Sequence, residues 1–226
     1  MIEKAVILST GDELAPPGTA SERVGAIPES VSLGVAALAN EWGAVVTSRQ
    51  RLRDDLATME QTAAEVTALA DVVVVTGGAS VGERDFAKTM FVPGDLELIF
   101  SKVSIKPGKP VWLGRAGKTL VMGLPGNPTS ALVTARLLLA PLLAGLSGRD
   151  PQDALRWRTA ALATTLRACG PRETFHRARS TGQAVEVLGF QDSSAQKALA
   201  EADVLVRQRA DTPEMPQGAQ VDTLEF

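Results

Sequence analysis

The chain has 226 residues, 45% hydrophobic and 22% charged, with 26 acidic against 23 basic side chains and a net charge of −3. That is the make-up of a globular protein with one large or two smaller cores, and it carries no electrostatic case for nucleic acid. One cysteine (Cys169) and one histidine (His176) exclude a disulfide framework and any zinc site built from several Cys or His ligands.

In chain order, Ala5 to Leu8 is a four-residue apolar run closed by Ser9-Thr10-Gly11, which predicts a buried strand entering a loop. Ser30 to Trp42 is rich in alanine and leucine and stops at Gly43, a residue suited to the position just past a helix end. A short strand follows at Ala44 to Ser48. Leu56, Met59, Ala63, Val66 and Leu69 recur at three- and four-residue spacing, so Asp55 to Ala70 reads as an amphipathic helix with Asp54 or Asp55 as its cap. Val72 to Val75 is four β-branched residues in a row, the pattern of a strand covered on both faces in a parallel sheet. Further strands are predicted at Leu96 to Ile105, Val111 to Leu113 and Thr119 to Leu124. Thr129 to Leu146 then reads as a long apolar helix that Pro141 kinks.

Beyond Ser147-Gly148-Arg149-Asp150-Pro151 the pattern changes to short alternating segments with one helical stretch, Ser194 to Ala202. The expectation is an α/β domain over residues 1–148, a three-layer doubly wound and mostly parallel sheet, followed by a small β-rich, barrel-like domain over 149–226. No uninterrupted apolar run approaches the roughly 18 residues of a membrane helix. The start, MIEKAVILST, also lacks a secretory signal's apolar stretch. Both point to a cytoplasmic protein.

Glycine- and proline-rich loops follow the predicted strands, where an open parallel sheet collects its ligands. The first holds Thr10, Gly11, Asp12 and Glu13; the second holds Thr76, Gly77, Gly78, Ser80, Gly82 and Asp85. KVSIKPGKP contributes Lys102, Lys106 and Lys109, and GLPGNPTS contributes Pro125, Gly126, Asn127 and Ser130. Glycines let backbone N–H groups approach an anion, and lysines add positive charge for an oxyanion. Carboxylates in the same crevice would repel that anion unless a hard cation such as Mg²⁺ lay between them. A site of both signs therefore suggests metal-assisted chemistry on a phosphorylated or anhydride substrate.

Each loop alone also has an ordinary reading as a tight turn, a helix cap or a solvated hairpin. The phosphate-binding patterns GxxxxGK[ST] and GxGxxG are absent. His176 reads as structural or solvated, Cys169 as inert, and Met59, Met90, Met122 and Trp112 as packing residues.

The succession STGDEL, RLRDD, VVVVTGGASVGERD, KVSIKPGKP and GLPGNPTSA resembles the molybdopterin molybdenumtransferase family, the MoeA and gephyrin E-domain type. RETFHRAR, the Ser193-Ser194 segment and EADVLVRQ extend the likeness into that family's C-terminal β-domain, so it covers Ala5 to Phe226. The resemblance implies insertion of molybdate into adenylylated molybdopterin (molybdopterin-AMP) with Mg²⁺-dependent release of AMP, by a homodimer. It implies catalytic roles for Glu13, Asp54, Asp55, Asp85, Lys102 and Lys106. Glu13 and Asp85 would position Mg²⁺ or the adenylate. Lys102, Lys106 and Lys109 would hold molybdate and the pterin phosphate, with Ser130 and the Gly77-Gly78 amides as donors. Where the family has an Asp-Ser-Asn type segment this chain has Glu29-Ser30-Val31, and the family carries two domains upstream of this region. The alternative readings are a non-catalytic carrier or scaffold for the pterin cofactor and a nucleotide pyrophosphatase. The Pro-Gly-Asn-Pro loop and the β-rich tail speak against the last.

Overall fold

The computed structural model describes residues 3–77, 86–192 and 196–226. Its first half runs β1 (Glu3–Thr10), β2 (Leu14–Ala15), β3 (Ile27–Pro28), α1 (Val31–Glu41), β4 (Ala44–Leu52), α2 (Leu56–Thr67), β5 (Val72–Thr76) and α3 (Phe86–Thr89). It continues with β6 (Glu97–Phe100), β7 (Ile105–Lys106), β8 (Trp112–Ala116), β9 (Thr119–Leu124), α4 (Pro128–Thr134), a π-helical turn (Ala135–Leu139) and α5 (Ala140–Leu146).

Six strands form one sheet in the order β4-β1-β5-β9-β8-β6, with β4, β1, β5 and β9 parallel and β8 antiparallel to both neighbours. The valine run of β5 is buried along its whole length because helices cover both faces. Ile7, Val72, Val74 and Met122 pack on one side with Val35 and Ala39 of α1 and with Leu139 and Leu143 of the long helix. Leu8, Val73, Val75 and Val121 point the other way, onto Met59, Ala63 and Val66 of α2 and onto Met90 and Phe91. Alternate residues of one strand thus serve two cores, and each buried aliphatic side chain contributes about 1.5–3 kcal/mol. Trp112 lies opposite Gly123, where any side chain would collide with the indole.

After a 3₁₀ turn at Pro151–Leu155 come β10 (Arg158–Leu162), β11 (Glu173–Ser180), β12 (Ala184–Val187), α6 (Gln196–Ala200), β13 (Val204–Gln208) and β14 (Gln220–Glu225). β12 pairs with both β10 and β11, closing a five-stranded barrel around Leu162, Ala178, Val185, Val206 and Val221. The barrel packs on the long helix through Phe175, Leu205 and Leu224 against Val133 and Leu137. Buried Arg136 bolts the contact: its Nε donates to the Glu225 carbonyl at 2.8 Å and its Nη1 to the Ala154 carbonyl at 2.5 Å.

Several elements differ from the sequence expectation. The single strand expected over Leu96 to Ile105 is two strands in different sheets: β6 is an edge of the first sheet, while β7 pairs with β11 of the barrel. Pro141 does not simply kink the helix. Lacking an N–H and excluding the carbonyl four residues back, it is preceded by the π-helical turn that absorbs the mismatch. The strand begun at Ala44 runs on to Leu52, because its polar second half forms the sheet edge beside β1. The helix Pro128–Leu146 is long and apolar enough to cross a membrane by length and composition, but 67% of it is buried, as befits a core helix.

Candidate functional site

The loops at the carboxyl ends of the parallel strands stack directly on one another. Gly77 follows β5 at φ +93°, and a Cβ there would strike the Thr10 carbonyl oxygen in the loop after β1. Its N–H donates to the Leu124 carbonyl at 3.3 Å, and a Cβ on Gly126 would stand 3.3 Å from the Gly77 Cα. The Thr10 hydroxyl donates to the Thr76 carbonyl, and the Thr76 hydroxyl reaches the Ser9 Oγ at 3.2 Å. Thr10, Gly77 and Gly126 therefore form one layer of backbone in which side chains have no room.

The acidic residues border this layer. Gly11 has φ +142°, and the Glu13 carboxylate lies over it: a Cβ on Gly11 would come 2.7 Å from Glu13 Oε2. Asp12 Oδ1 accepts from the Asp54 N–H at 3.3 Å, joining the loops after β1 and β4. Asp55 is differently employed. Its Oδ1 accepts from the Thr58 N–H at 2.9 Å as the cap of α2, and hydrogen bonds from Thr58 hold its carboxyl below the usual range. Gly78, Ser80, Gly82 and Asp85 lie outside the described residues.

Lys106, Lys109 and Ser130 come together elsewhere, lining a cavity of about 450 Å³ with Arg172, His176, Arg177 and Asp192. The register builds this site: Lys106 stands opposite Thr174 in the β7–β11 pairing, which brings the KPGKP loop onto the barrel. Gly108, at φ +104°, lets that loop lie against Thr134 of α4, where a Cβ would collide. Arg177 is 1% exposed; its Nη2 donates to the Asp192 carbonyl at 3.1 Å, while its Nε finds no partner among the described residues. Burial lowers the pKa of this guanidinium, in part offset by Asp192. His176 Nε2 lies 2.9 Å from Gln208 Oε1, and burial, then Arg177 and Lys106, push its pKa below the ordinary value, with the Gln208 bond opposing.

Only part of the charged set predicted as one crevice lines this cavity. Neither Thr10 to Glu13, nor Asp54, Asp55 or Gly77, lines the cationic cavity, and Lys102 lies exposed outside it. Arg172 and Arg177, which sequence reasoning did not single out, do line it. The basic residues of RETFHRAR were the available signal, legible only once that strand is known to face the KPGKP loop. At Glu29-Ser30-Val31, Glu29 caps α1 by accepting from the Ser32 N–H (2.8 Å) and hydroxyl (2.6 Å), and Val31 is buried in the core.

Asp12, Glu13 and Asp54 are hard oxygen donors of the kind Mg²⁺ takes. Among the described residues, no three Asp, Glu, His or Cys side chains form a metal-holding group.

Residues 6–145 match the family model described as "Probable molybdopterin binding domain", and residues 159–226 match the MoeA C-terminal region (domain IV). The chain is 32% identical to molybdopterin molybdenumtransferase 2 of Mycobacterium tuberculosis, over 99% of this chain and 56% of that protein. It is 35% identical to the molybdopterin molybdenumtransferase of Haemophilus influenzae, over 84% of this chain and 48% of that one. Its fold matches the crystal structure of the molybdopterin biosynthesis MoeA protein from Pyrococcus horikoshii with a TM-score of 0.84 and 26% identity, covering 100% of this chain and 55% of that one. The chain spans about half the length of these relatives. With family models matched over residues 6–145 and 159–226 and a relative 32% identical over 99% of this chain, the chain belongs to the MoeA-type molybdopterin molybdenumtransferase family.

Proposed function

We propose that this chain acts in molybdenum cofactor biosynthesis, receiving molybdate in the cationic cavity and transferring it to adenylylated molybdopterin bound across the stacked loops. One observation carries the reading: Lys106, Lys109, Arg172 and the buried Arg177 converge with Ser130 on a cavity of about 450 Å³, a set of hard N–H and O–H donors suited to an oxyanion. Lys106 and Lys109 supply charge from one side, and Arg172 and Arg177 from the barrel. Residues 1–148 serve as the pterin-binding unit and residues 149–226 complete the oxyanion site.

The tight layer of Thr10, Gly77 and Gly126 offers a surface free of bulky side chains against which the phosphates of the second substrate would lie. Asp54, whose N–H donates to Asp12, would add its carboxylate to those of Asp12 and Glu13, while Asp55 serves as the helix cap. A magnesium ion, held by Glu13 with Asp85, would supply charge to the phosphoanhydride as AMP leaves. The proposed working form is a cytosolic homodimer.

Calorimetry with sodium molybdate tests the site. Binding by the whole chain, weakened in Lys106→Ala and Arg172→Ala, supports it; binding untouched by both substitutions removes it. A second reading, a non-catalytic carrier of the pterin cofactor, is favoured by the buried Val31 in place of a polar residue. Sustained Mg²⁺-dependent AMP release from adenylylated molybdopterin would exclude the pure carrier.

A further inference from the structure

We infer that His176 is a positioning residue whose protonation is linked to oxyanion capture: an anion seated at Lys106 draws a solvent proton onto the imidazole Nδ1, so that the filled cavity contains an imidazolium. This rests on the oxyanion site proposed above and adds to it a residue and a proton.

The register supplies the geometry. Lys106 is opposite Thr174, Thr174 is opposite Gln208, and His176 is opposite Val206. Paired residues, and residues two apart on a strand, share a face, so Lys106, His176 and Gln208 project to the same side of the sheet. Lys106 and His176 both line the cavity.

The hydrogen bonds decide which ring nitrogen can respond. Gln208 Nε2 donates to the Arg167 carbonyl at 2.9 Å, which only an N–H can satisfy, so the Gln208 amide is oriented with Oε1 toward the imidazole. His176 Nε2, 2.9 Å away, must therefore be the donor. The neutral ring then carries its lone pair on Nδ1, for which no hydrogen bond is found among the described residues.

Burial, and then the charges around the cavity, keep the ring neutral. Lys106 and Lys109 come from the KPGKP loop, Arg172 and Arg177 from β11 and the segment before it, and Asp192 is the carboxylate among the lining residues. Burial disfavours a further positive charge most, Arg177 and Lys106 act in the same direction, and the Gln208 hydrogen bond opposes them. Glu173 and Arg207 are paired with each other and do not line the cavity. A dianion among these cations reverses the local potential, making a proton on Nδ1 favourable and turning a lone pair that would repel the anion into a donor.

His176 is the only histidine in the chain, so its imidazole resonances report on it without ambiguity. The experiment is an NMR titration of the unmodified protein across neutral pH, with and without saturating sodium molybdate, alongside calorimetry in two buffers of different ionisation enthalpy. The expected result is an upward move of the imidazole midpoint by about one pH unit, equivalent to about tenfold tighter binding to the protonated form. Proton uptake on binding should disappear in His176→Gln, which keeps a hydrogen-bonding side chain. Molybdate binding with an unmoved midpoint and no proton uptake overturns the inference and leaves the oxyanion site standing. Absence of any molybdate binding overturns the site itself and the inference with it.

Discussion

Lys106 stands directly opposite Thr174, the point at which a loop of the α/β sheet becomes a strand of the barrel. This two-residue pairing means that the cation-lined cavity has walls from both parts of the fold, and that its charge depends on their contact.

Lys106→Ala is expected to weaken molybdate binding by about five- to tenfold at low ionic strength, because the side chain is exposed and its charge partly screened. The loss should shrink as salt is added. Binding measured by calorimetry at two salt concentrations checks both the size and the trend.

Arg136 tests whether the contact beneath the cavity holds the site together. Its guanidinium is buried, donates to the carbonyls of Ala154 and Glu225, and stacks on Trp42 at 5.6 Å. Arg136→Met should cost about 2–4 kcal/mol by stranding those carbonyls. Urea denaturation gives the stability, and molybdate affinity should fall although Arg136 does not line the cavity.

Gly77→Ala should destabilise by about 1–3 kcal/mol, since the residue sits at positive φ with the Thr10 carbonyl where its methyl would be. Gly11→Ala should instead displace the Glu13 carboxylate, with a smaller effect on stability because a flexible side chain can yield. Comparing melting temperatures of the two variants distinguishes backbone collision from carboxylate displacement.

Asp54 and Asp55 should separate cleanly. Asp55→Ala removes the α2 cap and lowers the melting temperature, most above the acid range where its depressed carboxyl is ionised in both folded and unfolded chains. Asp54→Ala should leave the cap intact and reduce binding of the adenylylated pterin. Thermal melts and ligand titration of both variants decide the assignment.

Stability should also depend on pH through His176. Its folded pKa lies below the unfolded value near 6.5, so the unfolded chain takes up the proton first as pH falls. This contribution is fully present above about pH 6.5 and is lost progressively as pH drops toward the folded pKa. His176→Gln should flatten that part of a stability profile measured by denaturant unfolding.

The parallel strands were legible because they are buried on both faces: the Val72 to Val75 run and the apolar Ala5 to Leu8 segment leave few alternatives. The helix over Asp55 to Ala70 was legible from its periodicity. The split of Leu96 to Ile105 was not, because β-propensity does not say which sheet a residue joins; that depends on pairing with β11, some seventy residues away in the chain. The π-helical turn was similarly hidden, since Pro141 announces a disturbance without specifying its form.

For the site, the amino-acid sequence alone determined the inventory: glycine loops after strands, a set of carboxylates, a lysine loop, and the order of motifs that carries the family resemblance. Only the tertiary structure decided how these residues are shared out. It committed Asp55 to a helix cap, placed Glu13 over Gly11, and gathered Lys106 and Lys109 with Arg172, His176 and Arg177 on one cavity. The physical reason is that local patterns fix backbone conformation and burial, whereas which charges face one cavity depends on strand register between distant segments.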